Sequence, residues 1–326
     1  MSSRKAPVVL FAYRRPIHTQ RVIDALLANS EAVDTDLIVF VDGPKSPAEK
    51  QSINEVLAVF SSLTGFASID VKSSPKNLGL ARSVIQGVTS TLEQHDRVIV
   101  LEDDILVSPY FLEYMNSALK IYENEEAVAS VHGYTYPIEL ELPPSFFIRG
   151  ADCWGWATWR RAWKKFNPDG KDLLKRLEKS GQTNDFDFNG SARYTDMLRD
   201  QISGKNDSWA VRWYASAFLE NMLTLYPGDS LVRNIGLDGS GTHSGSSTEL
   251  DTSVVQTKLS IAKPAINIVE SSVGRQAFEK FFRSLNDPSH TSSSSRFPRR
   301  LVRRARHLIP PKWRNSATRQ IRNLKK

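Results

Sequence analysis

The sequence predicts a three-layer α/β/α fold with a mostly parallel central sheet, and three observations carry that reading. Short apolar runs alternate with amphipathic stretches through the first hundred residues. The runs are almost continuously apolar and lack period-two alternation, as strands buried on both faces are. Charged side chains follow several of the runs directly, at the strand ends where α/β sheets bind ligands.

The elements follow in order. Pro7–Tyr13 (PVVLFAY) reads as a buried strand, and 18–29 (HTQRVIDALLAN) as a helix with Val22, Ile23, Leu26 and Leu27 on one face. Asp36–Val41 (DLIVFV) is a second strand, stopped by the turn signal Asp42-Gly43-Pro44. A helix over 47–63, a third strand over 67–72 and a helix over 77–93 come next. A fourth strand, Arg97–Leu101 (RVIVL), runs directly into Glu102-Asp103-Asp104. The second half is less regular. Trp154, Trp156, Trp159 and Trp163 crowd the stretch 145–166; 180–206 is polar and reads as including a mobile loop; 209–225 reads as one helix. Residues 235–247 are rich in Gly and Ser, and organisation weakens beyond about 248.

Domain boundaries are expected near 250 and 295, giving a main domain (1–250), an extension and linker (251–295) and a basic tail (296–326). The net charge of +7 belongs to that tail, which holds 12 Lys and Arg and no acid. Residues 1–295 carry 31 basic against 36 acidic side chains, so nucleic acid is not an expected partner of the body. With Cys153 as the sole cysteine, an intrachain disulfide and a Cys-rich zinc site are both excluded. No apolar run reaches the length of a membrane span or a signal-peptide core. The tail segment 299–309 (RRLVRRARHLI) is amphipathic enough to lie on an anionic membrane; a solvated tail and an RNA-binding arm are the alternatives. The expected location is cytoplasmic, peripheral at the inner face of the cell membrane.

Three consecutive acids at the mouth of a buried strand repel one another where the dielectric is low. A divalent Mn²⁺ or Mg²⁺, which prefers carboxylate oxygen, relieves that repulsion and can bridge a diphosphate. The alternative is a set of exposed loop acids capping the helix that begins near Ser108-Pro109. No Walker loop, G-x-G-x-x-G or H-E-x-x-H occurs, which removes support from kinase, dehydrogenase and zinc-protease readings.

The run 98–115 (VIVLEDDILVSPYFLEYM) resembles the metal-binding strand and following helix of GT-A glycosyltransferases, nucleotide-diphospho-sugar transferases. It is most similar to the Golgi alpha-mannoside beta-N-acetylglucosaminyltransferase type and its bacterial relatives in polysaccharide synthesis. FAYRRP at 11–16, VFVDGP at 39–44, NLGLARS at 77–83 and CWGWATWRRAW at 153–163 extend the resemblance, in the same order, over roughly 7–245. The resemblance implies a GT-A fold and inverting transfer from a UDP-hexose or UDP-N-acetylhexosamine to a glycan or lipid-linked acceptor. Arg14 would then contact the nucleotide, Asp42 the base, and Arg82 the nucleotide or its phosphates. Glu102 would touch the donor sugar, Asp103 the ribose or sugar, and Asp104 would ligate the metal.

An inverting displacement also needs a base for the acceptor hydroxyl. Asp207 matches the family position, with an N-cap role as its alternative and Asp152 as the fallback base. Trp154 and Trp156 would face the donor–acceptor pocket, or pack in the core with Trp159 and Trp163. His243, in the Gly-containing loop after the helix, would ligate the metal or bind the diphosphate, or remain solvated. Rival readings are a nucleotidyltransferase and a non-catalytic glycan-binding protein.

Overall fold

Five consecutive apolar residues make Val8–Ala12 (β1) a strand that is buried throughout. Pro16, at the first helical position, fixes the backbone for α1 (Pro16–Leu27), which therefore starts two residues earlier than its apolar period indicates. β2 (Asp36–Val41) follows, then a 3₁₀ turn at Pro47–Glu49 and α2 (Lys50–Ser61). β3 (Ser68–Ser73) is largely exposed, as suits the edge of the sheet. α3 (Leu80–Gln94) begins after a loop over 77–79, and β4 (Arg97–Glu102) ends on the first residue of the acidic triplet. Next come β5 (Ile105–Val107), α4 (Phe111–Ile121), β6 (Val128–His132), β7 (Ser145–Ile148) and β8 (Trp156–Trp159). Helices α5 (Arg160–Trp163), α6 (Gly170–Lys179), α7 (Thr183–Phe186), α8 (Tyr194–Ile202) and α9 (Trp209–Leu219) lead to β9 (Leu223–Pro227), β10 (Val232–Asn234) and α10 (Ser272–Asn286). The computed structural model describes residues 5–239, 249–259, 261 and 266–286.

The main sheet runs β3-β2-β1-β4-β8-β6-β9-β7. Its first four strands are parallel, as expected from their continuous apolar runs. Beyond β4 the sheet is mixed: β8 is antiparallel to β4 and β6, β6 and β9 are parallel, and β7 is antiparallel to β9. A two-stranded ribbon pairs β5 with β10. Strand parity sorts the side chains into two layers. Leu10 and Ala12 join Val22 and Leu26 of α1, Val56 and Phe60 of α2 and Met115 of α4 in one apolar core. On the opposite face Phe11 and Phe40 stack at 5.4 Å, and α3 approaches them so closely that a Cβ on Gly87 would meet the Phe11 ring at 2.7 Å. The three-layer α/β class is the one predicted.

Two expectations change. The stretch 180–206 contains α7 and α8, with Phe186 and Leu198 completely buried; scattered apolar anchors order it despite its polarity. Residues 209–225 divide into α9 and β9 at Asn221, whose φ of 55° breaks the helix. A short apolar run such as 222–226 has no period that separates strand from helix.

The compact unit reaches Arg283, beyond the boundary expected near 250. Its last element, α10, buries Ala277, Phe278 and Phe282, and Phe278 meets Phe146, Tyr136 and Tyr226 edge-on at 5.9, 5.0 and 5.3 Å. The second unit, Ser284–Lys326, is described only through residue 286, so the basic tail lies outside the described residues. Among the described residues no helix is long and apolar enough to cross a membrane.

Because Phe278 is 1% exposed within this aromatic cluster, Phe278→Ala is expected to cost about 3–5 kcal/mol of stability in urea unfolding. A loss below about 1 kcal/mol would mean that α10 merely rests on the surface.

Candidate functional site

The strand order places the C-terminal end of β1 between those of β2 and β4. The chain leaving β1 therefore passes directly over the acids that close β4. The Tyr13 amide donates to Asp103 Oδ2 at 2.9 Å. Arg15 Nη2 donates to Asp103 Oδ1 at 2.5 Å and to Asp104 Oδ2 at 2.9 Å. The Asp104 carbonyl accepts the Ile235 amide at 2.8 Å, which brings the segment after β10 across the tip. Gly236 follows, where any Cβ would overlap Asp104 Oδ2.

Burial raises the pKa of Asp103, and Arg15 opposes the rise. Glu102 is pushed up to about 8 by burial and by repulsion from Asp104 and Asp103. Burial works against the Arg15 charge, but attraction to Asp103 and Asp104 outweighs it and the guanidinium stays protonated. The acidic tip thus carries its own counter-charge. Asp103 and Asp104 are 3% and 9% exposed, so they are not solvated loop acids.

It is Arg15, next to the expected nucleotide contact Arg14, that pairs with the acids. Arg14 is 41% exposed and lies 3.4 Å from Glu49, whose other oxygen accepts the Tyr13 hydroxyl at 2.6 Å. Asp42 is buried, and its two oxygens accept four hydrogen bonds: from the amides of Gly43, Leu78 and Gly79 and from Asn77 Nδ2, at 2.8–3.0 Å. Its carboxylate is committed to tying the end of β2 to the loop that opens α3. Arg82 stands exposed on the first turn of that helix.

Beside the tip lies a cavity of about 450 Å³ lined by Asp152, Trp154, Tyr134, Tyr194, Tyr214 and Tyr226, among others. Asp152 Oδ2 accepts the hydroxyls of Tyr226 at 2.9 Å and Tyr136 at 3.1 Å. Burial raises the Asp152 pKa to about 6 against the lowering effect of both tyrosines. Cys153 connects the two regions: burial, and then the nearby charges of Asp152 and Glu102, push its thiol pKa well up. The Trp154 amide donates to His132 Nε2 at 3.1 Å, and its ring meets Tyr134 edge-on at 4.8 Å. The tyrosines were not singled out in the sequence, because they come from distant segments joined only by the sheet.

Trp156 is a correction. It is 1% exposed and packs with Trp163, Trp209 and Trp213 at 5.4–6.1 Å, as a core residue under α9. The core alternative is the one the structure bears out: the positive φ of 61° at Gly155 separates the direction of Trp156 from that of Trp154, which lines the cavity. Asp207 is 68% exposed and 3.3 Å from Arg212; its neighbour Ser208, which lines the cavity, is the cap of α9 and accepts the Val211 amide at 3.2 Å. His243 lies outside the described residues.

Among the described residues no three His, Cys, Asp or Glu side chains converge with metal-binding geometry. The donor set still fits Mn²⁺ or Mg²⁺, since such ions often take one or two carboxylates and fill the remaining positions with phosphate and water. Asp104, with Asp103 beside it, offers hard oxygens of that kind at the end of the strand.

No protein-family model and no curated protein matches the sequence. Solved structures do match. A mannosyltransferase from Pyrobaculum calidifontis, in complex with GDP-Man and Mn²⁺, is 13% identical, with a TM-score of 0.33 over 54% of this chain and 47% of its own. S. aureus TarS is 14% identical, with a TM-score of 0.30 over 45% of this chain and 24% of its own. Glucosyl-3-phosphoglycerate synthase from Mycobacterium tuberculosis, with Mn²⁺, UDP and glucosyl-3-phosphoglycerate, is 16% identical, with a TM-score of 0.33 over 55% and 67%. The match spans about half the length of the first and a quarter of the second.

The raised Asp152 pKa has a sign that can be checked. A carboxyl that is harder to ionise when folded favours the native state below its unfolded pKa near 3.8, and that contribution is lost as pH rises through about 6. The difference in unfolding free energy between wild type and Asp152→Asn is expected to drift by up to about 3 kcal/mol between pH 4 and pH 7, against the wild type. A difference flat across that range in urea titrations would remove Asp152 from the buried carboxyls.

Proposed function

We propose that the chain is a glycosyltransferase that takes its sugar from a nucleotide-diphospho-sugar donor with Mn²⁺ or Mg²⁺, and that it has a GT-A fold. The single observation that carries this reading is the buried acidic pair Asp103–Asp104 at the C-terminal end of β4, joined there by the chain leaving β1 and bordered by a cavity. Buried carboxylates at the open end of a parallel sheet are costly unless they serve a cation or a ligand. The motifs at 11–16, 39–44, 77–83, 98–115 and 153–163 that resemble the family support it independently. The finer likeness to the N-acetylglucosaminyltransferase type rests on those motifs.

In this reading Asp104 holds the metal, with Asp103 beside it, and His243 is a further candidate ligand. The ion would neutralise charge that develops on the departing nucleoside diphosphate. Asp42 holds the loop 77–79 in place beneath the nucleotide, and Arg14 and Arg82 are exposed cations on the same side of the sheet for its phosphates. Glu102, at the end of β4, faces the donor sugar. The cavity is the acceptor pocket, where Trp154 and the tyrosines offer apolar faces to a sugar ring and Asp152 accepts a hydrogen bond from one of its hydroxyls. Asp207, open to solvent and next in sequence to the cavity-lining Ser208, takes the proton from the attacking hydroxyl and passes it to water. Inversion of the anomeric carbon, a UDP donor and a role in surface polysaccharide synthesis come from the sequence resemblance alone. So does a lipid-linked acceptor approached through a membrane-binding tail.

A second reading exchanges the roles of the two acids. The Asp152 pKa near 6 and its place inside the cavity favour it as the base.

The first test is thermal-shift titration with UDP, GDP and their sugars, in Mn²⁺ and in EDTA. Stabilisation by a nucleoside diphosphate in Mn²⁺ only, lost in Asp104→Ala, is the expected result; no stabilisation by any nucleotide sinks the proposal. With the donor found, Asp207→Asn is expected to lower kcat roughly 10²–10⁴-fold with little change in acceptor KM, and Asp152→Asn to raise that KM. The opposite pattern assigns the base to Asp152.

A further inference from the structure

We infer that Arg15 is an internal counter-ion that holds the unloaded acidic tip together and competes with the divalent cation for Asp104. When the cation arrives, Arg15 gives up Asp104 and turns its freed N–H groups to a phosphate oxygen of the donor. The phosphate half of this inference rests on the nucleotide-diphospho-sugar reading; the counter-ion half does not.

Arg15 Nη2 spends both its protons on the two acids, at 2.5 and 2.9 Å. Without that guanidinium, two adjacent buried carboxylates would face each other uncompensated, which a folded chain tolerates poorly. A metal ion on Asp104 and the Arg15 guanidinium repel one another at close range, so each weakens the other's hold on that carboxylate. Binding of the ion therefore works against the Arg15–Asp104 contact.

The guanidinium also has a donor in reserve. Arg15 Nη1 is buried and has no hydrogen-bond partner among the described residues, which is an unsatisfied cationic donor beside the tip. Gly236 lies against it, and a Cβ at that position would stand 2.9 Å from Nη1. The same Cβ would overlap Asp104 Oδ2, so the lack of a side chain at 236 is what lets the backbone close over both Arg15 and Asp104. A planar fork with an unused donor matches a phosphate oxygen, which guanidinium binds with paired hydrogen bonds.

The experiment measures Mn²⁺ binding by electron paramagnetic resonance, and UDP binding by calorimetry at saturating Mn²⁺, for wild type, Arg15→Gln and Arg15→Lys. Arg15→Gln is expected to bind Mn²⁺ alone roughly tenfold more tightly than wild type, because a competing charge is gone. It is also expected to bind UDP roughly tenfold more weakly. Its melting temperature should fall without metal and recover further on adding Mn²⁺ than that of the wild type. Arg15→Lys keeps the charge and loses the fork, so Mn²⁺ affinity should stay near wild type while UDP weakens; this variant serves if the Gln protein does not fold. Mn²⁺ affinity unchanged or weaker in Arg15→Gln overturns the inference, as does a wild type that binds no Mn²⁺. Should Mn²⁺ behave as expected while no form binds any nucleotide, the donor reading fails and the counter-ion role stands.

Discussion

The structure of this site depends on one ion-paired contact, the Arg15 guanidinium between Asp103 and Asp104. It forms because β1 lies beside β4 in the sheet, so that the chain leaving one strand crosses the end of the other. The Tyr13 amide adds a backbone donor to the same carboxylate, and the segment after β10 closes over the tip from the opposite side. Acidic side chains that would otherwise repel one another in a poorly solvated position are thereby held in a defined arrangement. Asp42 does the same for the adjacent strand, where a single buried carboxylate gathers three amides and an Asn side chain into one loop. Both devices use acid to organise the open edge of the sheet before any ligand is present.

The second half of the chain works by shape. Strands β6 to β9 are too few and too mixed in direction to form a second parallel layer, and aromatic side chains fill the space around them. Trp156, Trp163, Trp209 and Trp213 pack under α9, while Tyr134, Tyr136, Tyr194 and Tyr226 surround Asp152. The helix α10 braces that second group through Phe278 and Phe282, so the last element of the compact unit supports the wall of the cavity. Removing water from around Asp152 while leaving it two hydroxyl donors moves its pKa toward neutrality, which is the range where a carboxylate exchanges protons readily.

Several features are hidden in the sequence for a shared cause. Arg14 and Arg15 look alike as neighbours, and only the fold shows that Arg15 is the one paired with the acids. Trp154 and Trp156 look equivalent in a Trp-Gly-Trp stretch, yet one lines the cavity and the other is core, since the φ of 61° at Gly155 and the start of β8 separate their directions. The helix α10 was passed over although Val273, Ala277, Phe278 and Phe282 repeat at helical spacing, because the polar stretches around it diluted the signal. The split of 209–225 into helix and strand was invisible for a different reason: burial on both faces erases periodicity.

The alternation of apolar runs with amphipathic stretches was enough, unaided, to determine the α/β class, the four parallel strands and the location of the acids at a strand end. Those properties follow from local pattern and from the chemistry of burial. The counter-charge on the acids, the tyrosine cage around Asp152 and the antiparallel second half belong to the tertiary structure. Each joins residues separated by tens of positions, such as Arg15 with Asp103 or Asp152 with Tyr226, and only the order of strands in the sheet decides which of them meet.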